Sequence, residues 1–232
     1  MPSAIILAGG LGTRLRSEVP DLPKPMAPVG GRPFLEILIE YWMSQGIDRF
    51  ILSVGYKHEA IINHFQHEFR GASIDYSIEE TPLGTGGGFL AALNYVSADE
   101  DFLLLNGDTY FSVELDALRS FARRNNTDWC FSLFRSNEQN RYMGLQVAQD
   151  GRVVSLTSAH GHAGALVNGG VYWVRRSSIS EDITAPLRMS LESEFFPRAL
   201  GEKLRVFAME CKGVFIDIGV PEDYRRAPAL LF

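Results

Sequence analysis

The chain has 232 residues, 46% of them hydrophobic, and a formal net charge of −6. That length suits one well-buried α/β domain rather than two, the acidic balance argues against nucleic-acid binding, and two isolated cysteines, Cys130 and Cys211, exclude a disulfide framework or a zinc cluster. No apolar run approaches a membrane span and the N-terminus carries neither a basic leader nor a cleavage site, so a cytoplasmic protein without membrane contact is expected.

The apolar run Ala4–Ala8 predicts a buried first strand that breaks into a loop containing Gly9, Gly10 and Gly12. Glycines let a backbone press closely against a ligand. Successive N–H groups in such a loop bind oxyanions, and Arg14 and Lys24 follow as cations suited to phosphate. Two familiar glycine loops do not match. Leu15 stands where the dinucleotide fingerprint needs its third glycine, and the Gly-Lys-Ser/Thr triplet of the Walker A loop occurs nowhere.

Further along, apolar residues at helical spacing predict a helix over Phe34–Ser44, stopped by Gly46. Arg49–Val54 reads as a strand, and His58–Phe69 as a helix burying Ile61, Ile62 and Phe65. Ile74–Ile78 is a strand, Gly87–Val96 a helix, Asp101–Leu105 a buried strand and Glu114–Asn125 a helix, with Cys130 in a core strand beyond. This alternation predicts parallel strands joined by crossovers: an α/β, doubly wound, mostly parallel sheet sandwiched by helices.

The second half changes character. Leu145–Ala148, a turn at Asp150-Gly151 and Val153–Thr157 predict a hairpin, followed by a strand over Ala165–Val174. A helix over Ser190–Gly201, a strand over Leu204–Met209 and a closing helical turn over Pro221–Arg226 complete a single two-lobed domain, 1–232.

The segment Leu7–Val29, reading LAGGLGTRL…PKPMAPV, resembles the signature of the sugar-1-phosphate nucleotidyltransferases, which join a sugar 1-phosphate to a nucleoside triphosphate and release pyrophosphate. The resemblance continues in order through Pro82-Leu-Gly-Thr-Gly-Gly87, Asn106-Gly-Asp-Thr109, Asn168-Gly-Gly-Val-Tyr172 and Ile216-Asp-Ile-Gly-Val-Pro-Glu-Asp-Tyr224. Within the family, Arg16–Pro28 is most similar to the D-glycero-D-manno-heptose 1-phosphate guanylyltransferases. The resemblance implies a nucleotide-binding half over about 1–135 and a small β-rich sugar-phosphate-binding lobe over about 136–232. It also implies GTP and a sugar 1-phosphate as substrates, Mg²⁺ as cofactor, and a product destined for surface glycans.

Asp108 ends an apolar strand, where ligands of open α/β sheets bind. Asp217 lies in the apolar frame Val214-Phe-Ile-Asp-Ile-Gly, where an unpaired carboxylate is costly. A shared hard cation answers both, since Mg²⁺ takes one or two carboxylates together with phosphate oxygens; the resemblance implies the same pair of metal ligands. The reaction is attack by a sugar-phosphate oxygen on the α-phosphorus. Its nucleophile is already an anion, so positioning and electrostatics carry the catalysis. Arg14 is expected to hold the β- and γ-phosphates, and Lys24, presented between Pro23 and Pro25, to reach the α-phosphate and the incoming phosphate.

The nucleotide is expected against Leu7, Gly9, Gly10, Gly12, Thr13, Pro82, Gly84 and Thr85. Guanine offers two donors on one edge, which suits a carboxylate acceptor. Glu79 stands where relatives specific for thymine or uracil commonly carry glutamine, and is expected to favour GTP. Sugar recognition is expected from Asn106, Gly144, Asn168, Gly169, Tyr172 and Glu192, with Glu194 competing for the last role. One departure stands out: many relatives follow the second hairpin strand with Glu-Lys, whose lysine grips the sugar phosphate. Here that place reads Thr157-Ser158-Ala159-His160, leaving Arg141, His160 and Lys24 as candidates. His58, His64 and His67 share a helix and read as a solvated face, and His162 joins His160 in a Gly/Ala-rich loop. Tyr41, Trp42 and Leu230-Leu231-Phe232 leave a homodimer contact and packing on the domain equally open.

Overall fold

The computed structural model describes residues 2–136, 138, 141–157, 164–179, 188–202 and 204–232. In β1 (Ala4–Leu7) the first three residues are fully buried. Successive strand residues point to opposite faces, so Ala4 and Ile6 enter one core cluster while Ile5 enters another. A strand apolar on both faces needs a cover on each side.

The chain continues through two tight helical turns, Thr13–Leu15 and Lys24–Met26, and a small hairpin of β2 (Pro28–Val29) and β3 (Arg32–Pro33). Next come α1 (Phe34–Ser44), β4 (Arg49–Val54), α2 (His58–Phe65), β5 (Glu68–Phe69) and β6 (Ala72–Ile78). Then follow α3 (Gly84–Ala92), β7 (Asp101–Asn106), β8 (Thr109–Phe111) and α4 (Leu115–Arg124). The rest comprises β9 (Trp129–Ser136), β10 (Gly144–Val147), β11 (Val153–Thr157), β12 (Ala165–Arg175), α5 (Phe196–Gly201), β13 (Val206–Glu210), β14 (Phe215–Asp217) and α6 (Pro221–Leu231).

β1 lies between β4 and β7, parallel to both, and β6 extends the parallel set beside β4. Leu38 of α1, Ile61 of α2 and Leu118 of α4 pack with Ile6 and Leu105 on one face. Phe89 of α3 and Ala199 of α5 pack with Ile5 and Leu104 on the other. Helices therefore cover both faces, the doubly wound sandwich expected from the alternation. Beyond β7 the direction reverses. β12 runs antiparallel to β7 and β9, β10 and β11 form the expected hairpin, and β13 returns parallel to β9. Among the described residues this makes one mixed sheet running through both halves.

Several elements differ from the sequence reading; the helix read over Ser190–Gly201, for one, opens with a wide turn over Leu191–Phe195 before α5. α2 stops at Phe65 rather than Phe69 because Gln66 turns to φ 52°, after which β5 folds back on β6. α3 starts at Gly84, earlier than expected, because its first turn is held by another segment: Gly86 N–H donates to the Met189 carbonyl at 2.8 Å. α6 continues past Arg226 to Leu231, with Ala227 buried beside Ile216 and Ile218. The sequence also gave no sign of the ribbon that β8 and β14 form. It pairs Thr109 with Asp217, and the Ile218 N–H donates to the Asp108 carbonyl at 3.0 Å. Leu15, Val29 and Phe34 pack with Ile216 and Ile218, fastening the segment around Lys24 to this ribbon.

Trp42 is fully buried in the core and so closed to a dimer contact, whereas Tyr41 is half-buried and its hydroxyl donates to the Val113 carbonyl; Phe232 is 69% exposed. No helix among the described residues is long and apolar enough to cross a membrane.

Candidate active site

Because β1, β4, β6 and β7 are parallel, their C-terminal ends share one edge. A cavity of about 440 Å³ opens there. Leu7, Asn106 and Asp108 contribute from the strand ends, Gly9 to Thr13 from the glycine loop, Glu79, Pro82, Gly84 and Thr85 from the segment after β6, and Arg188 and Glu192 from the segment before α5.

At one end of the cavity Lys24 forms an ion pair with Asp108, and its Nζ lies 3.9 Å from Asp217 Oδ1. The lysine side chain is only 9% exposed. Pro23, at φ −66°, and Pro25 fix the turn that presents it. Asp217 Oδ1 also accepts the Gly219 N–H at 2.6 Å. Burial, and then the negative charge of Asp108, hold the Asp217 carboxyl above the usual carboxylate range. Asp108 is shifted the other way: burial opposes its ionisation, but the Lys24 ammonium in contact with it prevails and lowers its pKa. The charge of Asp108 opposes the ionisation of Asp217, so added positive charge beside Asp217 is favourable. Their hard oxygen donors suit a divalent cation of the magnesium kind.

On the opposite wall, Glu79 Oε1 accepts from the Ser53 hydroxyl at 3.1 Å and Oε2 from the Leu83 N–H at 2.9 Å. Gly9 and Gly88 admit this carboxylate between them. A β-carbon at Gly9 would stand 2.6 Å from Glu79 Oε1, and one at Gly88 2.5 Å from it. Ser53, at the end of a buried strand, and the glycines thus fix an acceptor at the cavity wall.

The segment around Met189 closes the third side. Met189 N–H donates to the Leu83 carbonyl at 2.8 Å and its own carbonyl receives the N–H groups of Gly86 and Gly87. Gly84, at φ 73°, leaves room for that carbonyl, which a β-carbon there would approach to 2.6 Å. The Thr85 hydroxyl donates to Glu192 Oε2, and Glu194 instead caps the backbone at Ser190. Of the two acidic residues, Glu192 is the one that lines the cavity.

Residues 3–231 match the model of a family described as nucleotidyl transferase. The chain belongs to the nucleotidyl transferase family. It is 41% identical over 224 residues to a D-glycero-α-D-manno-heptose 1-phosphate guanylyltransferase of Aneurinibacillus thermoaerophilus, covering 97% of this chain and 96% of that one. An enzyme of the same name from Campylobacter jejuni is 42% identical over 221 residues, covering 95% and 96%. Among solved structures, HddC from Yersinia pseudotuberculosis superposes with a TM-score of 0.86 at 35% identity over 99% of both chains. Its complex with GMP-PN gives 0.84 at 36% identity, again over 99% of each.

Within this nucleotidyl transferase every residue expected against the nucleotide lines the cavity: Leu7, Gly9, Gly10, Gly12 and Thr13 on one side, Glu79, Pro82, Gly84 and Thr85 on the other. Lys24, Asp108, Asn106 and Glu192 join them. Asp217 lies just outside the lining, behind Lys24. Arg14 is exposed on the turn next to Thr13 and is not part of the lining.

The remaining sugar candidates are not among the residues that line the cavity. Gly144 is buried in the sheet, paired with Val167. Asn168 donates from Nδ2 to the Tyr172 hydroxyl at 2.6 Å and accepts the Gly170 N–H at 3.1 Å. Two of the sugar expectations are corrected. Tyr172 is 0% exposed, its ring edge-on to Phe131 at 5.0 Å, so it is closed to direct contact with a sugar and its hydroxyl meets Asn168 instead. Gly169 faces the Phe111 ring, where a β-carbon would stand 2.5 Å from Cδ1, so the need for glycine there is packing.

Of the candidates for the sugar phosphate, His160 lies outside the described residues, as do Ser158, Ala159 and His162. Arg141 is engaged with carboxylates of its own chain. The histidine helix is less bare than the sequence suggested: His64 Nε2 lies 3.0 Å from Oε2 of the buried Glu36, which also pairs with Arg32 and Arg70. Among the described residues no group of three or more His, Cys, Asp or Glu side chains forms a metal cluster.

Sequence reasoning missed Arg188, a cation on the cavity wall, and Ser53, which orients Glu79. The one mark Arg188 carries in the sequence is its place four residues before Glu192. Ser53 shows only as a small polar residue in an otherwise apolar strand.

Proposed function

We propose that the protein is a guanylyltransferase that joins GTP to D-glycero-α-D-manno-heptose 1-phosphate, giving GDP-heptose and pyrophosphate. The observation that carries this reading is one cavity in which the glycine loop, Lys24, Asp108, Glu79 and Glu192 meet, in a chain similar along nearly its whole length to two enzymes of that name. In this reading residues from about 1 to 135 bind the nucleotide and those from about 136 to 232 the sugar phosphate, within one domain. The reaction belongs in the cytoplasm, where GTP is available, and its product feeds surface-glycan assembly. Exposed Leu230 and Phe232 offer the apolar surface for a homodimer.

The guanine edge lies at Glu79, whose two oxygens keep lone pairs beyond those used by Ser53 and Leu83. The backbone of the glycine loop and Arg14 hold the β- and γ-phosphates and stabilise the leaving pyrophosphate. Lys24 aligns the α-phosphate with the incoming sugar phosphate; with its side chain only 9% exposed it acts as a fixed charge with little screening. Asp108 and Asp217 would hold the divalent cation, Mg²⁺ in this reading, which when bound neutralises phosphate oxygens. Glu192 and the amides of Asn106 and Asn168 recognise sugar hydroxyls, Tyr172 holding the second amide in place. No strong base is needed, because the nucleophilic phosphate oxygen is already charged.

The test is pyrophosphate release from GTP, UTP, dTTP, CTP and ATP, each paired with heptose, mannose or glucose 1-phosphate, with and without Mg²⁺. Metal-dependent release confined to GTP with the heptose phosphate is expected. Release with another pair would overturn the substrate assignment, and silence throughout would point to a nucleotide-sugar-binding protein.

A further inference from the structure

The side chain of Arg141 is 17% exposed and its guanidinium meets three carboxylates. Nη1 donates to Glu138 Oε2 at 2.7 Å. Nη2 pairs with Asp223, which is buried on α6, and lies 3.5 Å from Asp217 Oδ2 while donating to the Asp217 carbonyl at 3.4 Å. The Tyr142 ring lies against it, its centroid 4.9 Å away. From these contacts we infer that Arg141 is a positioning residue that sets the Asp217 carboxylate for the divalent cation, and that it does not grip the sugar phosphate. The inference rests on reading Asp217 as a ligand of that cation.

Three observations carry it. First, both oxygens of Asp217 are referenced to fixed groups. Oδ1 takes the Gly219 N–H and faces Lys24, and Oδ2 faces Arg141. Without the guanidinium only one oxygen is held, and the carboxylate is free to turn about its last torsion. Second, Arg141 cannot swing to a phosphate without leaving the buried Asp223 with Arg226 alone, an exposed arginine 3.0 Å from it. Breaking one side of a buried pair leaves an uncompensated charge. Third, the Arg141 Nε–H is buried with no acceptor among the described residues. The side chain keeps this pose although one donor goes unused, as expected of a group placed for its carboxylates. Outer partners that orient ligating carboxylates are a general requirement of metal sites.

The experiment titrates Mn²⁺ into the purified protein, followed by the electron paramagnetic resonance signal of free Mn²⁺, alongside steady-state kinetics with GTP and heptose 1-phosphate. Arg141→Gln is expected to raise the Mn²⁺ dissociation constant about 10- to 100-fold, to lower kcat, and to leave the KM for the sugar phosphate at its wild-type value. Arg141→Lys, which keeps the charge but not the fork, regains part of the affinity. Asp223→Asn, which loosens the guanidinium while leaving it in place, gives a smaller loss in the same direction, and serves if Arg141→Gln does not fold. Unchanged Mn²⁺ affinity with a raised KM for the sugar phosphate would overturn the inference and make Arg141 a phosphate ligand. Asp217→Asn separates the two levels. If it leaves Mn²⁺ binding intact, the cation reading itself fails and this inference with it. If it weakens binding while the Arg141 variants do not, the inference alone fails.

Discussion

The Thr85 hydroxyl donates to Glu192 Oε2 at 3.1 Å while accepting the Leu191 N–H at 2.9 Å. One side chain thus ties the start of α3, on the nucleotide side of the cavity, to an acid proposed to read the sugar. Thr85→Val keeps the shape and removes both bonds. A hydrogen bond to a charged group contributes about 1.5 kcal/mol or more, so the KM for the sugar phosphate should rise roughly tenfold. Because Thr85 is also expected against the nucleotide, calorimetric binding of a GTP analogue should weaken, but by less than the sugar KM rises. Weakened nucleotide binding with a normal sugar KM would place Thr85 on the nucleotide instead.

Replacing Glu79 by Gln keeps the size and the bond accepted from the Leu83 N–H, but puts a donor amide where Oε1 accepted from the Ser53 hydroxyl, so that hydroxyl must turn to accept. The expected loss in kcat/KM for GTP is about 10- to 100-fold, from one charge-assisted bond of about 1.5–3 kcal/mol. UTP should lose less. Competition assays with the two nucleotides in one reaction read the ratio directly; an unaltered ratio removes Glu79 from base selection.

Gly84 takes φ 73° and faces the Met189 carbonyl at a distance that leaves no room for a methyl group. Gly84→Ala adds a left-handed penalty of about 1–2 kcal/mol and pushes away the carbonyl that receives Gly86 and Gly87. For a chain of this size each kcal/mol lowers Tm by roughly 2–4 °C. Differential scanning calorimetry should therefore show a drop of roughly 5 °C, accompanied by weakened sugar binding as Glu192 shifts. A variant as stable as wild type would show that the Met189 strap yields freely.

Asp128 supplies a pH-dependent part of the stability. Burial works against its ionisation, yet the Arg205 side chain and backbone N–H, with Arg175 behind, lower its pKa below the ordinary value. A carboxyl depressed in the folded state stabilises above its unfolded pKa, and that contribution is lost as pH falls through the folded value. Asp128→Asn should destabilise the protein at pH 7 by about 2 kcal/mol, the size of a bond to a charged partner. The gap to wild type in urea unfolding should shrink as the pH drops below 4, the range about the unfolded aspartate pKa of about 3.9. A gap independent of pH would mean that geometry and not charge makes the contribution.

The first half was legible because β1, β4 and β7 are near-continuous apolar runs; Asp101–Asn106, with four buried residues in a row, is the clearest case. Tyr172 was misplaced because the motif around Asn168 outweighed the alternation along β12. That alternation sends Tyr172 and Val174 to one core face and Val171 and Trp173 to the other. β8 and β14 are three residues each, too short for any period, and their pairing lies across half the chain. Arg188 and the Arg141–Asp223 pair are likewise products of tertiary placement, with no spacing rule to announce them. The glycine loop and Lys24 were readable for the opposite reason: they are contiguous, and each residue's chemistry is local.

The ribbon of β8 and β14 also orders events during synthesis. Asp108 emerges from the ribosome with the glycine loop and Lys24 already made, whereas Asp217 follows only after β9 to β13. Domains generally acquire structure from the N-terminus as the chain grows. A nascent chain that has reached β13 therefore holds the lysine and one aspartate, but has no ribbon against which to set the second. The parts proposed to hold phosphate precede the carboxylate pair, so a polypeptide interrupted before β14 lacks the two-carboxylate arrangement altogether. The proposed carboxylate pair is therefore complete only once β14 has been made.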